Sequence, residues 1–352
     1  MSTIADVARL ASVAKATASR ALSGKGYVSE ETRTRVVMAA RTIGYVVSPN
    51  AASLVTGRTE NVGVIIPVIS RWFFAEVLEG IEQALLAEGY DMTLYNLPHP
   101  SPERDRVFEY FLARKRFDAV ISVGIYLSVD EVENLHRLGR PLAGIGGAIR
   151  GVHTLAIDDI AAARLATEHL LRLGHTRILH VGGYLIDQMD FAVHSKRLEG
   201  FTAAMQDAGL SVDGCFFACE LTVPSGYEMG KNLLGDPRRR PTAIFAASDE
   251  IAIGLIIAAR ELGIAVPERL SVIGIDGHSY AEMFRLTTLE QEPRNQGRLA
   301  VQSILTQLQG AGGQGRSRVI SSSPDRPPTG EPTLLPTRLV IRSSTSAPYR
   351  AD

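Results

Sequence analysis

Cysteine is almost absent from this 352-residue chain, which contains only Cys215 and Cys219. A disulfide framework is thereby excluded. Two thiols four apart on what reads as one strand are expected to be free, buried side chains in a reducing compartment rather than a metal pair or a bridge. The chain also lacks any uninterrupted apolar run of the ~20 residues that a membrane span needs. It opens without a basic, apolar and cleavable leader, so a cytoplasmic location is expected. The eight histidines show no paired metal spacing, no Gly-x-Ser-x-Gly elbow or phosphate-cradling glycine loop occurs, and the Gly144, Gly146, Gly147 cluster lacks the third glycine of a dinucleotide fingerprint. Catalysis has little support, and neither a metal nor a cofactor is expected.

Net charge is nearly absent too, at −1, but it is unevenly shared. Residues 1 to 58 hold eight basic side chains against three acidic ones, a surplus of five that leaves −6 for the rest. A solvated charged face would explain that alone, yet a local positive head on a mildly acidic body is also what attraction to phosphates requires.

The first residues carry helix signals at short intervals. Thr3 to Asp6 fits a capping pattern, with the Thr3 hydroxyl meeting orphan N–H groups and Asp6 in the favourable first turn. A helix is expected to about Leu10, a turn over Ala11 to Val13, and a second helix to Leu22 with Val13, Ala18, Ala21 and Leu22 inward. Ser29-Glu30-Glu31 opens a third helix whose Val36, Val37, Ala40 and Ile43 can close a small core, and Gly44 ends it. Two short helices joined this tightly cross steeply, the geometry of a helix-turn-helix. Pro49 then leads a segment, Asn50 to Val55, of about two turns, too short to be a stable free helix.

From Asn61 onward strands and helices alternate. A first set has strands over 62–68, 91–97, 119–123 and 141–146, and a second over 154–158, 177–182, 215–220, 243–248 and 270–276. Apolar strands joined by amphipathic helices imply parallel, doubly wound sheets buried on both faces, with ligands at the carboxyl ends of the strands. Two sets imply two sheets with a cleft between them. The chain therefore divides into a head at 1–48, a linker at 49–60 and a core at 61–345. Lobe 1 is expected over about 61–150 plus 291–310, and lobe 2 over about 151–290 plus 333–345. A Gly-, Ser- and Pro-rich insertion over 309–332 precedes one last strand, Leu335 to Ile341.

In order along the chain, Thr3-Ile4-Ala5-Asp6-Val7-Ala8, Val28-Ser29 with Thr32-Arg33, Gly44-Tyr45, Thr56-Gly57-Arg58-Thr59, Leu173-Gly174-His175, Ser248-Asp249-Glu250 and Leu334 to Arg342 resemble the LacI/GalR family of bacterial transcription regulators. The resemblance runs from Thr3 to about Thr345. It implies an all-α helix-turn-helix head on a two-lobed α/β core like a periplasmic sugar-binding protein, with three crossovers at the hinge. It also implies a homodimer on a pseudo-palindromic operator, controlled by a small effector, with the Ile251 to Leu262 helix and the Asp276 to Met283 stretch as dimer surfaces. The head departs from the family pattern where the usual turn glycine is Ser12, the usual capping serine is Ala14 and the usual valine before the Ser-Arg pair is Ala18. Loss of such a cap costs roughly 1 kcal/mol.

The resemblance places the DNA contacts on Thr3, Lys15, Ala16, Thr17, Ser19 and Arg20, with Asn50, Ala51 and Leu54 at the linker. Lysine can donate to guanine acceptors and alanine can meet a thymine methyl. Leu54 falls where the family inserts a minor-groove wedge, its plain alternative being packing on the core. For the effector, the resemblance points to Arg197 and Asp276, and to Trp72, Phe73 and Phe74, whose faces can stack on a sugar ring while at least one packs in the core. Guanidinium and carboxylate groups pair well with vicinal hydroxyls, although a surface ion pair for Arg197 and a turn cap for Asp276 are the bland readings. Ser248 is favoured for ligand contact and Asp249 for helix capping. Asp158 is a further cleft candidate, with Asp159 as the cap. A sugar effector is preferred over a purine corepressor, and a solute-binding receptor with the same core is the rival class.

Overall fold

The computed structural model describes residues 2–24, 26–45, 58–97, 102–111, 116–137, 139–185, 192–311 and 331–349. The expectations for Asn50, Ala51 and Leu54, and for most of the 309–332 insertion, lie outside these residues.

The head consists of α1 (Ile4–Leu10), α2 (Lys15–Ser23) and α3 (Glu30–Thr42). Thr3 caps α1 through a reciprocal box with Asp6, and Ser29 caps α3 by accepting the Thr32 N–H. Val7, Ala8, Ala11, Ala18, Ala21, Val36, Ala39 and Ala40 form the core. The alanines let three short helices approach closely. Ala39 takes the place expected of Val37, which is only half-buried. Arg33 stitches α3 to α2 by donating to the Ala21 carbonyl at 2.9 Å. Beyond the linker, the Asp118 carboxylate accepts from the backbone N–H groups of Thr59 and Glu60 and from the Thr59 hydroxyl, at 2.9 to 3.1 Å.

The core has two six-stranded sheets. The first, in the order β11-β5-β4-β3-β1-β2, contains β1 (Asn61–Ile66), β2 (Asp91–Asn96), β3 (Ala119–Val123), β4 (Leu142–Ile145), β5 (His153–Ile157) and β11 (Thr333–Leu335). The second, in the order β12-β10-β9-β8-β6-β7, contains β6 (Ile178–Gly182), β7 (Phe216–Ala218), β8 (Ala243–Ala246), β9 (Ser271–Asp276), β10 (Thr287–Glu290) and β12 (Arg338–Val340). Central strands are buried along their whole length apart from Asn61 at the start of β1, as expected of sheets covered on both faces. In the first lobe α4 (Trp72–Ala87) and α11 (Pro293–Ala311) cover the sheet, joining Val77, Ile81, Ala300 and Ile304 to one apolar cluster. In the second, α7 (Asp159–Arg172) and α8 (Val193–Asp207) pack on one face. On the other, α9 (Val223–Leu234) and α10 (Asp249–Glu261) cross at Gly254, where an added Cβ would lie 2.3 Å from the Val223 carbonyl oxygen.

Three sequence-based placements change. The 154–158 strand joins the first sheet, as β5 pairs in parallel with β4. The single last strand is two, because Pro336 has no N–H to continue a ladder: Thr333–Leu335 extends the first sheet and Arg338–Val340 runs antiparallel to β10 in the second. β10, with its hydroxyl-bearing Thr287 and Thr288, was not expected as a strand. The chain thus passes between the sheets after β5, after β10 and between β11 and β12, three connections in accord with the implied hinge.

Candidate DNA-reading head and ligand cavity

The second helix of the head buries Ala18 and Ala21 and exposes Lys15, Ala16, Ser19 and Arg20, with Thr17 half-buried. One face thus closes the core while the other stays free to meet a groove. Ala14, at the N-cap, offers no side-chain hydrogen bond. Ser12, in the turn, has φ of 53°, in the left-handed region where a side chain costs energy and glycine does not. Both departures from the family pattern are therefore physical features of the turn. Thr3 is exposed, but its hydroxyl is engaged with Asp6 at 2.7 Å.

A cavity of about 460 Å³ opens at the carboxyl ends of the strands of both sheets. From the first lobe Phe73 and Phe74 reach it, at the start of α4. They meet edge to face, centroids 5.4 Å apart, and Gly124, just past β3, leaves the space Phe74 occupies: a Cβ there would stand 2.6 Å from the ring. Second-lobe strand ends supply Ser248 and Asp276, and α8 supplies Arg197.

Arg197 is 5% exposed, its Nε donating to Asp159 Oδ1 at 2.9 Å and its Nη1 to the Ala247 carbonyl. The surface-pair alternative is excluded by that burial. Asp276 has φ of 138° and accepts from Gln291 Nε2 at 2.6 Å. Burial, reinforced by the neighbouring Asp249 charge, holds its carboxyl well above the ordinary carboxylate range. Asp249 is fully buried and accepts from the His278 N–H and the Thr288 hydroxyl. It braces the second lobe, while Ser248 both borders the cavity and caps α10 by accepting the Ile251 N–H.

Two candidates stand elsewhere. Trp72 does not border the cavity but stacks on His278, because the first turn of α4 points successive side chains about 100° apart. Asp158 is exposed and caps α7 by accepting the Ala161 N–H at 2.9 Å, whereas its neighbour Asp159 is buried, lines the cavity and carries Arg197. The expected roles of the two aspartates are exchanged. Sequence reading passed over Arg71, Glu220, Glu250 and Gln291, which also border the cavity. Glu220 ends the predicted 215–220 strand, so the strand-end rule would have found it. Gln291 follows a strand that was not foreseen. Burial pushes the Glu250 carboxyl up and the nearby Arg71 charge offsets part of that. The Cys219 thiol, in the same wall, is pushed up to about 11 chiefly by burial; both cysteines are free thiols. Among the described residues no cluster suits a metal ion and no helix is long and apolar enough to cross a membrane.

A helix-turn-helix head followed by two hinged lobes around a ligand-sized cavity defines a DNA-binding regulator with a small-molecule-binding core. The chain belongs to the lacI family of bacterial regulatory proteins: the family model matches residues 3–50, and a periplasmic binding protein-like domain matches residues 167–345. It is 33% identical over 307 residues to catabolite control protein A of Priestia megaterium, covering 86% of this chain and 91% of that one. It is 31% identical over 352 residues to the HTH-type transcriptional repressor CytR of Escherichia coli K12, with 98% and 96% covered. Among solved structures, the transcriptional regulator CelR–cellobiose complex superposes with a TM-score of 0.67 at 26% identity, covering 98% of this chain and all of that one. The lac repressor dimer bound to operator shares the fold with a TM-score of 0.80 at 22% identity, with 98% and 99% covered. The chain is therefore a DNA-binding transcriptional regulator whose core has the family's ligand-binding architecture.

Proposed function

We propose that the chain works in the cytoplasm as a homodimer on a pseudo-palindromic operator and that a sugar bound in the cavity controls its hold on DNA. A two-fold dimer presents two α2 helices to two half-sites. Lys15 and Ala16 read base edges, Thr3, Thr17, Ser19 and Arg20 support them, and Asn50, Ala51 and Leu54 of the 49–60 linker engage the minor groove. The observation that carries the effector reading is the pairing, in one cavity, of the Phe73 and Phe74 rings with the Arg197, Asp159, Ser248 and Asp276 polar groups. Aromatic faces cover the apolar side of a sugar ring, and the polar groups meet its hydroxyls. That the CelR complex holds cellobiose supports the choice. The effector closes the lobes, shifts the population away from the operator-competent state and releases DNA, which requires that it prefer one state over the other.

Fluorescence anisotropy with the gene's own upstream DNA, titrated with a panel of sugars and purines, tests this reading. Salt-sensitive binding that a sugar reverses is expected. Failure to retain that DNA would sink the operator assignment, and a response to purines alone would replace the sugar.

A further inference from the structure

Trp72 is the chain's single tryptophan. It opens α4 of the first lobe directly ahead of Phe73 and Phe74, yet only those two border the cavity. Its ring stacks instead on the imidazole of His278 from the second lobe, with centroids 4.7 Å apart and planes inclined by 30°. His278 is held from its own side: its N–H donates to Asp249 at 2.8 Å, and its Nδ1 accepts the Tyr280 N–H at 2.9 Å. The Trp72 backbone N–H also faces the carboxylate of Glu250, in the first turn of α10, and lowers its pKa against the larger opposing effect of burial. One first-lobe residue therefore makes a ring contact to the second lobe.

The contact is not wholly favourable. The indole Nε1–H is buried with no acceptor among the described residues. Closed, Trp72 gains stacking and burial; open, its N–H would recover water. The unsatisfied N–H offsets part of what the stacking contributes, as suits a contact that can part and re-form.

We propose that Trp72 and His278 form a clasp that limits how far the two lobes part beside the cavity in the absence of ligand, leaving the remaining closure to the effector. Trp72 is then a positioning residue for lobe closure rather than a stacking platform for the effector. The clasp bears on the ligand reading through the lobe movement alone, and its test needs neither effector nor DNA.

The effector-free full chain supplies the assay, since its emission reports on Trp72 alone. His278→Ala removes the partner ring and His278→Phe keeps one. The alanine variant is expected to red-shift the emission, raise its quenching by acrylamide severalfold and enlarge the radius of gyration in small-angle scattering, with the phenylalanine variant close to the parent in all three. Unchanged emission and quenching in His278→Ala would overturn the clasp, as would a red shift at constant radius, which would mean that the imidazole merely shields the indole. Should His278→Ala fail to fold by circular dichroism, scattering on Trp72→Ala and Trp72→Phe decides. An expanded alanine variant beside a compact phenylalanine one is expected, and equal radii refute the proposal. Operator binding, assayed separately, judges the regulatory reading independently.

Discussion

Replacing Asp159 by Leu leaves the Arg197 guanidinium charged, buried and without its counter-ion. The side chains of the pair are 6% and 4% exposed, with Nε to Oδ1 at 2.9 Å, so solvent screens little of the loss. Removing one partner of such a pair costs about 3–5 kcal/mol, whereas replacing both by apolar side chains is often neutral or stabilising. At roughly 2–4 °C per kcal/mol for a domain of this class, a drop in Tm on the order of 10 °C follows. Asp276 is the other carboxyl whose charge Arg197 favours. The loss should shrink as pH rises through the raised Asp276 value, since below it burial keeps that carboxyl protonated and unable to substitute. Thermal unfolding of Asp159→Leu, Arg197→Met and the double variant, followed by circular dichroism without ligand, measures the effect. A single-variant loss below about 1 kcal/mol, the worth of an exposed pair, would refute the reasoning. A double variant as unstable as the singles would do so too, because the cost would then lie in packing and not in a stranded charge.

Ala14→Ser supplies the missing N-cap of α2 and should stabilise the head by about 1 kcal/mol, read as stronger amide hydrogen-exchange protection over residues 15–23 of the full chain; no gain would mean that the hydroxyl does not reach the N–H groups. Asp276→Asn removes a carboxyl whose folded pKa is raised above its unfolded one. Such a group stabilises fully below the ordinary carboxylate value, and that contribution fades as pH rises through the folded value, at about 1.4 kcal/mol per pH unit. The parent should therefore lose stability relative to Asp276→Asn from about pH 4 upward, and parallel urea-midpoint profiles would count against the raised carboxyl. Gly254→Ala drives a Cβ to within 2.3 Å of the Val223 carbonyl oxygen and 2.5 Å of the Tyr227 nitrogen. Backbone must shift, so a loss of about 1–3 kcal/mol or more is expected in denaturant titration; a neutral outcome would show that the α9–α10 crossing is loose.

Local chemistry was legible. The Thr3–Asp6 box, the Ser29 cap and the Gly44 stop with φ of 62° all follow from neighbours a few residues apart, and strands such as Val62 to Ile66 announce themselves by continuous apolar runs. Sheet membership was not, because it depends on partners far along the chain. Nothing within 153–157 says that its neighbour is β4 rather than a second-lobe strand. The break at Pro336 was passed over, and only the pairing of Leu334 with Ala156 and of Leu339 with Leu289 shows that the two sides of it serve different sheets.

The cavity residues show the same boundary at finer scale. Asp158 and Asp159 are identical in type and adjacent, yet one caps a helix in solvent and the other carries a buried arginine. The difference is decided by which residue adopts the extended N-cap conformation, a matter of where the helix starts to within one residue, which composition cannot fix. The three aromatics at 72–74 pose the same problem in helical phase. Ring chemistry suits all of them for stacking on a ligand, but rotation of about 100° per residue sends Trp72 toward His278 while Phe73 and Phe74 border the cavity. Arg197 depends on an aspartate 38 positions away. On the proposed effector reading, a guanidinium so engaged would enter the ligand complex with two of its donors already committed, the orientation of its remaining N–H groups being set beforehand. Such preorganisation would lower the ordering cost of binding and make the proposed site depend on Asp159 and on the Ala247 carbonyl, neither of which was a candidate for ligand contact.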